Sequence, residues 1–169
     1  MAKTKVLYLL HRYPQISQTY IENERRILAE THELRIVAFN AAYNFLNDPA
    51  EYTIIPRDSS VALQEIIRDF KPDIIHGHWL FIADKLLEVA QLAQRPFTIR
   101  GHSFDILAPN VDLHEKARIL NSEHCIGMLT FPFTIPMLEK AGCHAEKLHP
   151  CFPVADVSSF FNRLRSVQT

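Results

Sequence analysis

An α/β fold around a mostly parallel sheet is predicted by three observations. The segments Pro72-Asp-Ile-Ile-His-Gly-His-Trp79 and Pro96-Phe-Thr-Ile-Arg-Gly-His-Ser-Phe-Asp-Ile-Leu107 each pass through a short apolar stretch and stop at a Gly-His step, with a helical pattern between them. Val6 to Leu10 is almost wholly apolar, as a strand buried on both faces must be. Strand-like and helix-like segments then alternate to the end of the chain, the pattern of a parallel sheet covered by helices. Such sheets bind ligands in the crevice beyond the carboxyl ends of their strands. That crevice is expected to receive His76, His78, Trp79, His102, Ser103 and Asp105, a set suited to a small polar ligand.

The elements follow in order. After the strand at Val6–Leu10 and a polar loop from His11 to Gln18, Thr19-Tyr-Ile-Glu22 has the form of a capping box. It predicts a helix to about Glu30 that buries Tyr20, Ile27 and Leu28. Leu34–Phe39 reads as the next strand, and residues 41–60 as irregular with one short strand at Tyr52–Ile55. Leu63, Ile66, Ile67 and Phe70 fall on one helical stripe. A strand at Asp73–His76 follows, and Ala83, Leu86, Leu87 and Ala90 repeat the helical spacing before a strand at Phe97–Arg100. A helix at Leu113–Asn121 leads to a strand at Ile126–Thr130, and a helix at Ile135–Ala141 stops at Gly142, a suitable residue beyond a helix end. The last strand is placed at Lys147–Cys151. Right-handed crossovers turn this βα alternation into a three-layer, Rossmann-like sandwich.

Composition narrows the function. A chain of 169 residues, 47% apolar and 22% charged, is sized for one globular domain. Its 18 basic and 19 acidic residues give a net charge of −1, which offers no basic footprint for nucleic acid. Lys3 and Lys5 ahead of Val6–Leu10 imitate a signal peptide, but the apolar run is too short for one. No stretch approaches the roughly 20 apolar residues of a membrane helix. Three cysteines, Cys125, Cys143 and Cys151, form no C-x-x-C pair, which points to a reducing, cytoplasmic setting.

Several familiar chemistries lack their residues. A dinucleotide needs G-x-G-x-x-G after the first strand, because only glycine lets the backbone close on a pyrophosphate. The first loop, His-Arg-Tyr-Pro-Gln-Ile-Ser-Gln, has no glycine, and the chain contains four in all. A Walker loop fails on the same ground. Among nine histidines, His76-x-His78 with His102 or Asp105 is a conceivable zinc set. The pair is expected to chelate only if both lie in the loop beyond the strand, and no metal site is expected. No G-x-S-x-G elbow surrounds any serine.

The same segments carry a resemblance. The chain resembles, end to end, the N-terminal half of family 4 retaining glycosyltransferases, a bacterial group of GT-B fold that builds cell-surface polysaccharides. Val6 to Glu24 is similar to the family's opening strand, its aromatic-Pro loop and a Ser-x-Thr-aromatic-Ile helix start. Asp73-Ile-Ile-His-Gly-His-Trp79 resembles a D-[IV]-[IV]-H-x-H strand end, and Pro96 to Ile106 resembles a segment ending in His, a small residue, x, Asp and Ile. Leu138 to Gly142, then Lys147 through Asp156 to Phe160, resembles the exit from the first domain. Arg100 and Ser103 depart from the pattern, where threonine and a small residue are usual, and Leu129-Thr-Phe-Pro-Phe-Thr-Ile replaces a serine-bearing strand end.

The resemblance implies a Rossmann-like domain over residues 1–157 and a tail or linker over 158–169, without the nucleotide-sugar domain that carries the family's Glu-x(7)-Glu signature. It implies an acceptor-side domain that needs a donor-binding domain or second subunit and a glycan or lipid-linked acceptor. No cofactor or metal is implied, and the place of action is the cytoplasm or the inner face of the membrane. His102 is implied beside the transferring sugar, with Asp105 orienting it. His11, Ser17 and Thr19 are implied near the donor diphosphate. His78, Trp79, Arg100 and Ser103 are implied around the acceptor cleft. A non-catalytic binding or scaffolding module on the same fold is the alternative, and a metal-dependent hydrolase a more remote one.

Overall fold

The structure is a computed structural model that describes residues 2–15, 18–41 and 51–153. In chain order it contains β1 (Thr4–Tyr13), α1 (Thr19–Thr31), β2 (His32–Ala41), β3 (Tyr52–Ile54), α2 (Ser60–Phe70), β4 (Ile74–His78), α3 (Ala83–Ala93), β5 (Phe97–Arg100), α4 (Ser103–Leu107), α5 (Leu113–Leu120), β6 (Cys125–Thr130), α6 (Ile135–Lys140) and β7 (Leu148–Pro150). The seven strands form one sheet in the order β3-β2-β1-β4-β5-β6-β7. Every pairing is parallel. This is the predicted α/β, Rossmann-like architecture. Ser17 and the segment from Ala155 through Asp156 to Phe160, like the proposed boundary at 157 and the tail at 158–169, lie outside the described residues.

The helices divide unequally over the two faces. Leu7, Leu9, Ile75, Phe97, Ile99 and Met128 point to one face, where they pack with Leu63 and Ile66 of α2, Leu86 and Val89 of α3 and Leu120 of α5. On the other face Val6, Tyr8, Leu10, Ile36 and Ala38 pack with Ile21 of α1. Alternation along each strand is what sends neighbouring residues into separate cores.

Helix α1 departs from expectation in two ways. Its fully buried residues are Ile21 and Glu22, and Tyr20 and Leu28 are half-buried against the same core as predicted, but Ile27 is 55% exposed. The capping box does not form either. Gln18 occupies the N-cap without a side-chain bond, and Glu22 instead accepts from the Tyr13 hydroxyl and from Arg25 Nε at 3.1 Å. Capping is carried elsewhere by Ser59, which accepts from the Ala62 N–H, and by Asp112, which accepts from His114 and Glu115. Gly142 has φ 93°, the left-handed conformation expected after α6.

Gly77 lies in β4 between two histidines, with its α-carbon facing α3. A Cβ built there would sit 2.7 Å from both methyl carbons of Leu86, a side chain with no exposed surface. Gly77→Ala is therefore expected to cost about 1–3 kcal/mol by overpacking, read as a lower urea midpoint at unchanged slope. Gly127→Ala meets only the exposed ring of His149 and should stay within about 0.5 kcal/mol. Equal midpoints for the two variants would show that the β4–α3 contact is not tight.

Candidate functional site

Strands β1 and β4 are neighbours, yet the chain leaves β1 toward β2 and leaves β4 toward β5. Their connections therefore diverge and open a crevice at the strands' carboxyl ends, the usual ligand position in an open α/β sheet. A cleft of about 420 Å³ occupies this place, lined by His11, Arg12, Gln15, Gln18, Trp79, Phe81 and Phe104. Two of its polar atoms, His11 Nδ1 and Gln18 Oε1, are buried without a protein partner. Burial, and then the charges of Arg12 and Arg57, lower the His11 pKa and favour its neutral ring.

One wall of the cleft is aromatic. Trp79 stacks on Phe81 at 5.8 Å, Phe81 meets the His11 ring edge-on at 4.9 Å, and Trp79 lies 4.3 Å from the His102 ring. Trp79 holds φ at 82°, a conformation that costs a non-glycine residue on the order of 1–3 kcal/mol. Its N–H donates to Arg100 O at 2.8 Å, which fixes the turn that aims the indole. Helix α1 opens beside this wall with Thr19 exposed and, among the described residues, no side-chain cap from Gln18; a helix start of this kind carries free N–H groups and a partial positive charge.

Behind the cleft lies a buried polar network. Tyr8, His76 and His78 project from one face of β1 and β4, since Tyr8 pairs with His76 in register. His76 and His78, two residues apart, share a face while lying within the strand, which corrects the expectation that they converge only in the loop beyond it. Glu24 of α1 meets them. Its Oε2 accepts from Arg100 Nη1 at 2.7 Å, and its Oε1 accepts from the Tyr8 hydroxyl at 2.5 Å. The same Oε1 lies 3.3 Å from Nε2 of both His76 and His78. The Tyr8 oxygen is 2.8 Å from His78 Nε2, and His78 Nδ1 is 3.2 Å from His102 Nε2.

Electrostatics follow from this packing. Burial opposes the charge on Glu24, but hydrogen bonding from His76 and His78 outweighs it and holds the carboxyl well below the usual range. Burial lowers His78 to about 4 and, with the charges of His78 and Arg100, lowers His102 to about 3. Burial raises Asp105 to about 6 against stabilising backbone bonds, among them those it accepts from the N–H groups of Leu80 and of His102, the latter at 2.7 Å. Asp105 thus closes the start of α4 and ties it to the segment after Trp79.

Ligand atoms of Glu24, His76 and His78 lie within 4.8 Å of one another, a spacing compatible with a metal ion. Arg100 already holds the second carboxylate oxygen, however. A divalent ion would add its charge to a buried guanidinium with a single carboxylate to balance both, so the set fits an internal ion pair better than a metal.

The predicted residues thus divide into groups. His11 and Trp79 line the cleft. Thr19 is exposed at the first residue of α1, and Ser103 is half-buried at the first residue of α4. His78 and His102 form the layer behind, His102 being 7% exposed rather than a rim residue. Arg100, expected in the acceptor cleft, is 4% exposed and turned to Glu24 instead. Sequence reasoning missed Tyr8, Arg12, Gln15, Gln18, Glu24, Phe81 and Phe104. One signal was available: Arg100 closes a buried strand, and a buried guanidinium demands a carboxylate from somewhere.

No family model matches the chain, and no curated protein matches it. Solved structures do share its fold. The chain superposes on Anabaena Alr3699/HepE in complex with UDP-glucose with a TM-score of 0.71 at 14% identity, covering 91% of this chain and 45% of that one. For the same protein with UDP and glucose the TM-score is 0.70 at 16% identity, covering 92% and 46%. UDP-N-acetylglucosamine 2-epimerase from Rickettsia bellii gives a TM-score of 0.60 at 12% identity, covering 86% and 44%. The chain therefore spans a little under half the length of each. At these identities the likeness is one of fold, and it defines the class as a Rossmann-like α/β domain. Among the described residues no helix is long and apolar enough to cross a membrane.

The buried histidines predict acid sensitivity. Between about pH 6.5 and 4 the unfolded chain takes up protons on His78 and His102 that the native protein refuses. Asp105 acts oppositely, binding a proton in the native state from about pH 6 while the unfolded chain waits until 3.8. His11 and Glu24, also lowered in the native protein, act with the two histidines, so the unfolded state has the larger uptake and stability should fall as pH drops from 6.5. Urea midpoints measured from pH 7 to 4.5 test this, and His78→Gln should flatten the fall. A wild-type midpoint that holds or rises on acidification would mean that the rings are charged in the native protein.

Proposed function

We propose that this chain is the acceptor-side, N-terminal domain of a GT-B glycosyltransferase of the family 4 retaining type. Its partner is a donor-binding domain or second subunit, and its acceptor a glycan or lipid-linked sugar of cell-surface polysaccharide synthesis. It acts in the cytoplasm or at the inner face of the membrane. The observation that carries this reading is the cleft at the switch between β1 and β4. That cleft joins an aromatic wall suited to the apolar face of a sugar, buried polar atoms without protein partners, and the start of α1.

The chemistry fits these parts. Sugar transfer from a nucleotide diphosphate builds negative charge on the leaving phosphate and positive charge on the sugar ring. The first N–H groups of α1, with His11 and Arg12 beside them, supply donors and positive potential on the phosphate side. Trp79 and Phe81 offer a surface on which an acceptor sugar can lie and be oriented. The glycine-free first loop cannot wrap a diphosphate alone, which is why the donor pocket is assigned to the other domain. The fold shared with a protein solved in complex with UDP-glucose and with a UDP-N-acetylglucosamine 2-epimerase supports the same reading.

A second reading, a binding module without catalysis, is favoured by one observation: Arg100 and His102 spend their polar atoms inside the domain. The two readings separate experimentally. The chain contains one tryptophan, Trp79, so its fluorescence reports directly on the cleft. The isolated chain should show no transfer and only weak quenching by a UDP-sugar. A low-micromolar constant would overturn the assignment of the donor pocket to another domain. Joined to a donor half from a GT-B enzyme, the chain should support transfer. His11→Ala should then lower the rate on the order of a hundredfold, as loss of an electrostatic contact does. His144→Ala, exposed and away from the cleft, should leave it unchanged. Fluorescence quenching by acceptor glycans with no transfer from any joined donor half would instead establish the binding module.

A further inference from the structure

Hydrogen-bond polarity in the buried network admits one self-consistent assignment. A guanidinium only donates and an ionised carboxylate only accepts, so Arg100 donates to Glu24 and Tyr8 must also donate to it. The Tyr8 oxygen, its proton spent, is left to accept from His78 Nε2. His78 then carries its proton on Nε2, and its bare Nδ1 accepts from His102 Nε2–H at 3.2 Å. The remaining nitrogen of His102 is an acceptor as well, and the ring faces the backbone N–H of Asp105 in a capping-box arrangement. No step in this sequence can be reversed without leaving two donors or two acceptors face to face.

We propose that Arg100, Glu24, Tyr8 and His78 form one directional hydrogen-bond chain that holds His102 as the neutral Nε2–H tautomer behind the cleft, making Glu24 and Arg100 positioning residues. The groups facing His78 and His102 are accounted for element by element. Tyr8 comes from β1, Glu24 and Tyr20 from α1, His76 from β4, Arg100 from β5, and Asp105 from α4. Trp79 stands between His102 and the opening, 4.3 Å from its ring. The functional meaning rests on the glycosyltransferase reading above, while the assignment of protons does not. A transferring sugar accumulates positive charge, and an imidazolium behind Trp79 would repel it. A neutral ring, kept neutral from α1 across two strands, does not.

The chain also explains why an arginine can close β5. Arg100 is buried because Glu24 reaches it from α1 at 2.7 Å, and Glu24 is placed there by a helix whose charged residues, rather than Ile27, face the sheet. This arrangement uses two residues of the possible metal set, Glu24 and His78, without an ion.

Long-range ¹H–¹⁵N correlation spectra of the histidine rings in the isolated chain test the assignment without any activity. At pH 7 both His78 and His102 should show a protonated Nε2 and a bare Nδ1, and both should remain neutral at pH 5.5. Arg100→Met should abolish the single-tautomer state of His78 and His102, and Arg100→Lys, which keeps a donor toward Glu24, should restore it. His102 protonated on Nδ1, or either ring cationic at pH 7, would overturn the proposal. So would Arg100→Met spectra identical to wild type, or zinc bound at one equivalent that shifts the His76 and His78 signals. Should Arg100→Met not fold, Tyr20→Phe, outside the chain, must leave the wild-type tautomers intact and serves as the second arm. Unaltered ring assignments together with an absence of transfer in the joined enzyme would remove the glycosyltransferase reading alone.

Discussion

The carboxylate of Glu24 is the contact on which the rest depends. It binds one helix to three strands: to Tyr8 of β1, His76 and His78 of β4, and Arg100 of β5. Helix α1 makes its apolar contact with the sheet through Ile21, with Tyr20 and Leu28 half-buried beside it, and the polar network adds to its registration. A buried ion pair is seldom a net source of stability, yet removing one partner strands the other charge and costs about 3–5 kcal/mol. The pair therefore acts less as glue than as a locating device. It sets how α1 lies across the strand ends, and so where the helix start and Gln18 meet the cleft.

The cleft inherits its character from that placement. On its aromatic side, Trp79 keeps an unfavourable backbone conformation because its own N–H is held by the Arg100 carbonyl and that of the next residue, Leu80, by the Asp105 carboxylate. On its polar side, His11 and Gln18 leave buried atoms unpaired. Strain and unsatisfied groups cost stability, and Trp79, His11 and Gln18 bring both to the place where the sheet's topology opens a crevice. A larger and more apolar cleft of about 500 Å³ lies beside α1 along the sheet, bordered by Ile27, Leu28, Ile74 and Leu129. Glu24, His76 and Arg100 also line it, but Glu24 and Arg100 are spent on each other, and so the smaller cleft is the better site.

Much of the fold was legible because parallel sheets write themselves plainly. All-apolar strands such as Val6–Leu10, the stripe Leu63-Ile66-Ile67-Phe70 and the Gly142 stop are local patterns with local causes. The site was legible only where it coincided with strand ends, as at His11 and Trp79. Helix α1 misled because its charged residues serve tertiary partners: Glu22 looks like a cap and is bound to Tyr13, while Glu24 looks like surface and is the centre of the network. Hydrophobic periodicity assumes that charge faces water, and here a buried arginine reverses that rule. Phe104 and Phe81 were equally hidden, since an aromatic beside an apolar run reads as core until the short α4 turns it outward.

The most direct measurement is a double-mutant cycle on Glu24 and Arg100, using Glu24→Gln, Arg100→Met and the double variant in urea unfolding at pH 7. If the pair locates α1, each single variant leaves a buried group unpaired and the double variant costs far less than their sum. A coupling energy on the order of 2 kcal/mol or more, well beyond the roughly 1 kcal/mol ceiling of exposed pairs, is the predicted result. Additivity within about 0.5 kcal/mol would contradict the account, since α1 would then be held in place by something other than this carboxylate.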